Sequence, residues 1–112
     1  MTLRTFQDIL IKNLKRPQEA AAFLEIQLDE YDKDFFLIAL RDVVEAHGGM
    51  LKLSRKAKLN RANLYRMMSK KGNPEIMTLN KVLNAMGLRL SVSVMLKKRK
   101  KKPPRQRARN LL

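Results

Sequence analysis

Residues 50–69 read M-L-K-L-S-R-K-A-K-L-N-R-A-N-L-Y-R-M-M-S. An apolar run at helical spacing breaks near Lys58 to Asn60, and the run that follows opens with polar and cationic residues. Two helices meeting at a tight turn account for both halves, one over Met50 to Ala57 and one over Arg61 to Lys70 with Asn60 as its cap. Leu53, Ala57, Leu59, Leu64 and Met67 take the inward positions of such a pair, and Ser54 keeps a small side chain where the helices approach most closely. Asn60, Arg61, Tyr65, Arg66 and Lys70 are left facing out.

A helix of this kind fits a DNA major groove. Arginine can bond a guanine edge through two hydrogen bonds, asparagine can do the same with adenine, and each such contact discriminates by about 1–3 kcal/mol. Asn60 is needed as a cap, so Arg61 and Arg66 are the expected base contacts, with Ala62 against a thymine methyl. Lys52, Asn63, Lys70 and Lys71 suit phosphates, which position a protein on the duplex without reading it. A solvated basic face on an ordinary bundle is the plain alternative.

Together with the turn and the helix that follows, charge favours the first reading when it is divided along the chain. The 112 residues carry a formal charge of +15, unevenly spread. Residues 1–46 hold 6 Lys/Arg against 9 Asp/Glu, residues 47–96 hold 10 against 1 (Glu75), and residues 97–112 hold 9 against none. An acidic front and a basic rear predict two kinds of partner, since a polyanion is drawn to the rear and repelled by the front. Three parts follow: acidic N-terminal helices over 1–46, a DNA-binding region with a strand over 47–96, and a basic tail over 97–112. The first two share one domain, because 112 residues with 45% apolar content suit one core.

On the N-terminal side, Thr5-Phe6-Gln7-Asp8 has the form of a capping box with Asp for Glu. Phe6, Ile9, Leu10 and Leu14 then predict a first helix over about 6–15. Pro17 opens a second helix running to about Tyr31, with Ala21, Leu24, Leu28 and Tyr31 on one stripe and Phe23 and Ile26 beside it. The stripe is wide enough to serve as core or to leave a groove for another protein. Asp32 caps a third helix in which Phe36, Ala39, Leu40, Val43, Val44 and His47 share a face, and Gly48-Gly49 ends it. His47, the only histidine, sits on that apolar side as a structural residue.

On the C-terminal side, Gly72-Asn73-Pro74 makes a turn, and Ile76, Leu79, Val82, Leu83 and Met86 predict a sixth helix packed back on the central pair. From Leu88 the apolar period changes to two, through Leu90, Val92, Val94 and Leu96, which predicts one strand with no sheet to join. Its candidate partners are the same strand of a second subunit, the sheet edge of another protein, or the chain's own helices. The expected class is all-α, a small helical bundle with a C-terminal strand paired across a homodimer. The tail from Lys97 is expected to be disordered when free; six of its charges on phosphates would give a salt slope of roughly −5.

Chemistry is constrained by absences. With no cysteine and one histidine there is no Cys/His zinc site, and no glycine-rich phosphate loop or convergent acid–base set points to an enzyme or a cofactor. No apolar run reaches the roughly 18 residues of a membrane span, so the expected location is the bacterial cytoplasm, on the nucleoid when DNA is bound.

Residues 17–94 resemble the HigA-like antidotes of toxin–antidote modules, within the Cro/C1-type helix-turn-helix regulators. The likeness rests on F-F-L-I-A-L-R-D-V-V-E-A-H-G-G-M at 35–50, L-N-R-A-N-L-Y-R-M-M-S at 59–69 and G-N-P-E-I-M-T-L-N-K-V-L-N-A-M-G-L-R-L-S-V at 72–92. The last stretch is the most specific. The resemblance implies a dimeric repressor of its own operator that neutralises a RelE/HigB-like ribonuclease toxin, with Asn60, Arg61, Ala62, Tyr65 and Arg66 facing the bases. Lys58 departs from the family's turn glycine, at a cost of about 1 kcal/mol if the left-handed conformation is kept. Ser54 replaces the usual alanine, and the basic tail lies outside the pattern. Two other readings stay open: a stand-alone phage-type regulator without a toxin, and an RNA-associated basic protein that works through its tail.

Overall fold

The computed structural model describes residues 3–30, 32–69 and 73–96, and these form six α-helices with no strand among them. The helices are α1 (Leu3–Asn13), α2 (Pro17–Asp29), α3 (Lys33–Ala46), α4 (Gly49–Ala57), α5 (Arg61–Met67) and α6 (Ile76–Ala85). The all-helical expectation holds for the described residues. The tail from Lys97, together with Tyr31, Lys70, Lys71 and Gly72, lies outside them.

α3 is the centre because its apolar face is the widest. Phe36, Leu37, Ala39, Leu40, Val43, Val44 and Ala46 are all buried, so the helix can pack against α1, α2 and α4 at once. Asp32 caps it as expected, its carboxylate accepting from the Phe35 N–H at 3.1 Å. Gly48 and Gly49 then turn the chain with φ of 110° and 89°, a region open to glycine, and α4 starts on Gly49 itself.

His47 has the structural role its position predicts. Its Nε2–H donates to the Leu14 carbonyl at 3.0 Å, tying the loop after α1 to the end of α3. Gln7 Nε2 donates to Asp42 Oδ1 at 3.1 Å one to two turns earlier. The two bonds occur in the same order on both segments, so α1 runs alongside α3 in the same direction.

The front helices depart from the sequence reading in phase. α1 begins by Leu3, which places Thr5 inside the helix rather than at its cap, and it ends at Asn13. Leu10, Ile11 and Leu14 meet the core, whereas Phe6 and Ile9 are 59% and 45% exposed. Packing against α3 chooses the face here, because a short helix has little propensity of its own to set it. In α2 the buried residues are Ala20 and Leu24, and the apolar stripe divides: Ala21 and Phe23 are half-buried while Ile26 and Leu28 stay exposed.

The rear half packs as expected. Val82, Leu83 and Met86 are buried, and α6 returns onto α4. Ile76 is the exception at 64% exposed, since it opens the helix at the rim. Gly87, with φ of 82°, lets the Leu88 N–H close on the Leu83 carbonyl at 2.8 Å and ends α6. Residues 88–96 continue without helix, and the expected strand finds no partner among the described residues.

Candidate nucleic-acid interface

α4 and α5 are joined by three residues whose geometry follows from the α4 end. Lys58 takes φ 57° and ψ 47°, making it the one non-glycine residue with positive φ among those described. In that conformation the Leu59 N–H reaches back to the Ser54 carbonyl at 3.0 Å, so the last turn of α4 is closed and the chain is sent sharply into Asn60. The lysine therefore keeps the turn a glycine would make and carries its steric strain. Lys58→Gly is expected to raise the stability of the protein by about 0.5–1 kcal/mol, less than the full strain because glycine also loosens the unfolded chain. A thermal melt followed by circular dichroism reads this as an increase of a few degrees, and an unchanged or lower midpoint would mean that the turn relaxes around lysine.

Asn60 begins α5 in extended conformation, its side-chain oxygen accepting from the Asn63 N–H at 3.1 Å. Asn63 in turn accepts from Arg66 Nη1 at 2.8 Å, which holds the guanidinium against the helix surface. Leu64 and Met68, each 1% exposed, anchor the helix in the core, with Leu59 and Met67 half-buried beside them. From above, Arg41 of α3 donates its Nε–H to the Met68 carbonyl at 3.1 Å, satisfying an end group of α5. Ser69 Oγ closes the same end by donating to the Arg66 carbonyl at 2.8 Å.

With about 100° between successive residues, this anchoring sets the outward face. Arg61, Ala62, Tyr65 and Arg66 lie together on the exposed side, with Tyr65 56% exposed although it is aromatic. Asn60 and Asn63 sit at the flank, also exposed, and Lys52 is exposed on α4. Lys70 and Lys71, expected as phosphate contacts, fall outside the described residues. Arg55, Lys56 and Lys58 add exposed cations at the end of α4 and the turn. Glu75, the single acid of residues 47–96, is occupied by Thr78 Oγ1 at 2.7 Å. The resulting surface is cationic and rich in hydrogen-bond donors, with one aromatic ring and one methyl group.

Met68 and Arg41 were not among the residues expected to position this face. Met68 follows Met67 in sequence, and only the depth of α5 in the core separates their roles. Arg41 lies 27 residues from its acceptor, so no local pattern announces the bond.

A comparison with known protein families gives one model, described as "Probable addiction module antidote protein", that matches residues 4–94. The match takes in all six helices. The chain belongs to the addiction module antidote family. Among curated proteins it is similar to an uncharacterized protein of Haemophilus influenzae, 32% identical over 81 residues that cover 72% of this chain and 82% of the relative. No solved structure gives a significant match. The family match includes the acidic front helices as well as α4 and α5, and it stops before the lysine-rich tail. No described helix is long and apolar enough to cross a membrane.

Proposed function

We propose that this antidote is a dimeric helix-turn-helix repressor of the HigA-like, Cro/C1 type, which binds its own operator through α5 and neutralises a RelE/HigB-like ribonuclease toxin. The observation that carries the DNA half is the outward side of α5. Arg61, Ala62, Tyr65 and Arg66 share one exposed face of a helix buried only through Leu64 and Met68, in a region with one acid. In this reading Arg61 and Arg66 meet base edges, Asn60 holds the helix start, and Lys52, Asn63, Lys70 and Lys71 meet phosphates. The protein would act in the bacterial cytoplasm, on the nucleoid while bound to DNA.

The front half supports the toxin assignment on different grounds. An antidote requires a toxin, and a ribonuclease must carry positive charge to hold RNA. Phe6, Ile9, Phe35 and Ile38 are left exposed on α1 and α3, on a segment that also carries Asp8, Asp34 and Asp42. Apolar side chains among carboxylates suit a cationic protein surface better than they suit a nucleic acid.

The test is co-expression with the protein encoded beside this gene. A one-step purification through a tag on the antidote should return both chains, and induction of the neighbour alone should arrest growth that the antidote restores. Phe35→Asp with Ile38→Asp should abolish rescue while leaving helicity unchanged. Full rescue by that variant would remove the front face from the contact, and recovery of the antidote alone would favour a regulator without a toxin.

A further inference from the structure

Along one flank of α5 the residues are tied together at intervals of three. Asn60 Oδ1 accepts from the Asn63 N–H at 3.1 Å, Asn63 Oδ1 from Arg66 Nη1 at 2.8 Å, and the Arg66 carbonyl from Ser69 Oγ at 2.8 Å. Residues three apart are neighbours on a helix surface, so each bond closes without leaving the flank. The middle bond bears on recognition, because it holds one of the two arginines expected to meet bases. Arg61, the other, makes no hydrogen bond to a described residue.

Only the oxygen of an amide can accept from a guanidinium, so Arg66 fixes which way Asn63 points, with Oδ1 toward the arginine and Nδ2 away from it. Arg66 in turn has five N–H donors in a rigid fork. A bond at Nη1 leaves its Nε–H and Nη2–H open to make two parallel bonds. The holding group is also neutral. Glu75 borders the same hollow beside α5 as Asn63 and Arg66, but its carboxylate accepts from Thr78 Oγ1 at 2.7 Å. Asn63 therefore restrains the guanidinium without cancelling the charge that draws it to a guanine edge, whereas a carboxylate would restrain and neutralise at once.

We infer that Asn63 is a positioning residue for base recognition: its Oδ1 sets the Arg66 fork before DNA arrives, while its Nδ2–H donates to the phosphate beside the base that Arg66 reads. The inference rests on the DNA half of the reading above, where the two residues meet a phosphate and a base separately, and makes them one contact. Its effect is on selectivity. A long side chain loses rotamer freedom when it is fixed at an interface, and a side chain already held has less to lose. Correct registration with one base edge therefore depends on Asn63, although Asn63 touches no base.

The test uses the full-length protein and a panel of duplexes covering the protected promoter site, with each base pair changed in turn. Arg66→Ala should erase the preference at one position of each half-site. Asn63→Ala should lower discrimination at that same position roughly 3- to 10-fold and at no other, and should change it no further once Arg66 is alanine. Paired with Arg61→Ala, its effects should simply add. Asn63→Asp keeps the acceptor but loses the Nδ2 donor, so it should preserve the preference while weakening every duplex by a similar factor. Alanine is the better helix former, so Asn63→Ala keeps its helicity by circular dichroism. In the DNA-free protein, nitrogen-15 spectra should show slower Cζ–Nη1 rotation in Arg66 than in Arg61, and Asn63→Ala should remove the difference. Equal weakening of every duplex by Asn63→Ala would reduce Asn63 to a phosphate contact, and an unchanged effect in the Arg66→Ala background would separate the two residues; either overturns the inference alone. A wild-type protein that binds the whole panel equally would overturn the DNA reading and the inference with it.

Discussion

Replacing Arg61 and Arg66 together by alanine should weaken operator binding by roughly 100-fold or more while leaving nonspecific DNA binding almost unchanged. Each bidentate arginine–guanine contact discriminates by about 1–3 kcal/mol, so two of them carry most of the preference for one sequence. Both side chains are exposed and neither supports the core, which makes their loss cheap for the fold. The salt dependence separates base from phosphate contacts. If the two arginines read bases, the slope of log affinity against log salt stays near its wild-type value; if they meet phosphates, it falls by about 0.9 for each. Titration of operator and scrambled duplexes at several salt concentrations, with circular dichroism as a check on folding, measures both. A specificity ratio that survives the double substitution would remove α5 from the reading of sequence.

The largest expected effect on stability is at Leu40. It is fully buried in α3, the helix that meets α1, α2 and α4, so truncation opens a cavity that no single neighbour can close. Leu40→Ala should cost about 3–4 kcal/mol, a large share of the roughly 5–15 kcal/mol that holds a domain folded. Ile38→Ala on the same helix is the control: its side chain is 52% exposed, and its loss should cost under about 1 kcal/mol. Urea unfolding of the two variants and the wild type compares them directly. Similar midpoints for both variants would mean that α3 is not the centre of the core.

The contrast between Leu40 and Ile38 also shows what sequence could and could not supply. α3 has a dense apolar pattern, a working Asp32 cap and two glycines at its end, and its place and face are legible from those residues. α5 is legible for a similar reason, because the Asn60 cap, Leu64 and the outward Arg61 and Arg66 follow from one helical period. α1 and α2 are rich in apolar residues on more than one side, so periodicity offers several phases and only contact with α3 selects one. That is why Phe6 and Ile9 are outside while Leu10 and Ile11 meet the core. Arg41, which steadies the end of α5 from another helix, belongs to the same class of long-range contact.

Lys58 shows a further limit. Sequence identifies a turn that favours glycine, but whether a lysine bends the turn or bears the strain depends on how firmly α4 and α5 are held. Leu53, Ser54, Leu64 and Met68 are all buried, and the backbone yields to them. Lys58 keeps the left-handed conformation of the turn into α5 and places one more exposed cation beside that helix.

The central claim is that the exposed face of α5 reads a specific DNA sequence. Its most direct measurement is footprinting of the purified full-length protein on the promoter region of its own gene, at physiological salt and with excess nonspecific duplex present. The expected result is protection of two inverted half-sites with centres about one helical turn, 34–36 Å, apart. Protection spread evenly over the fragment, or lost to the nonspecific competitor at the same rate as on a scrambled sequence, would contradict it.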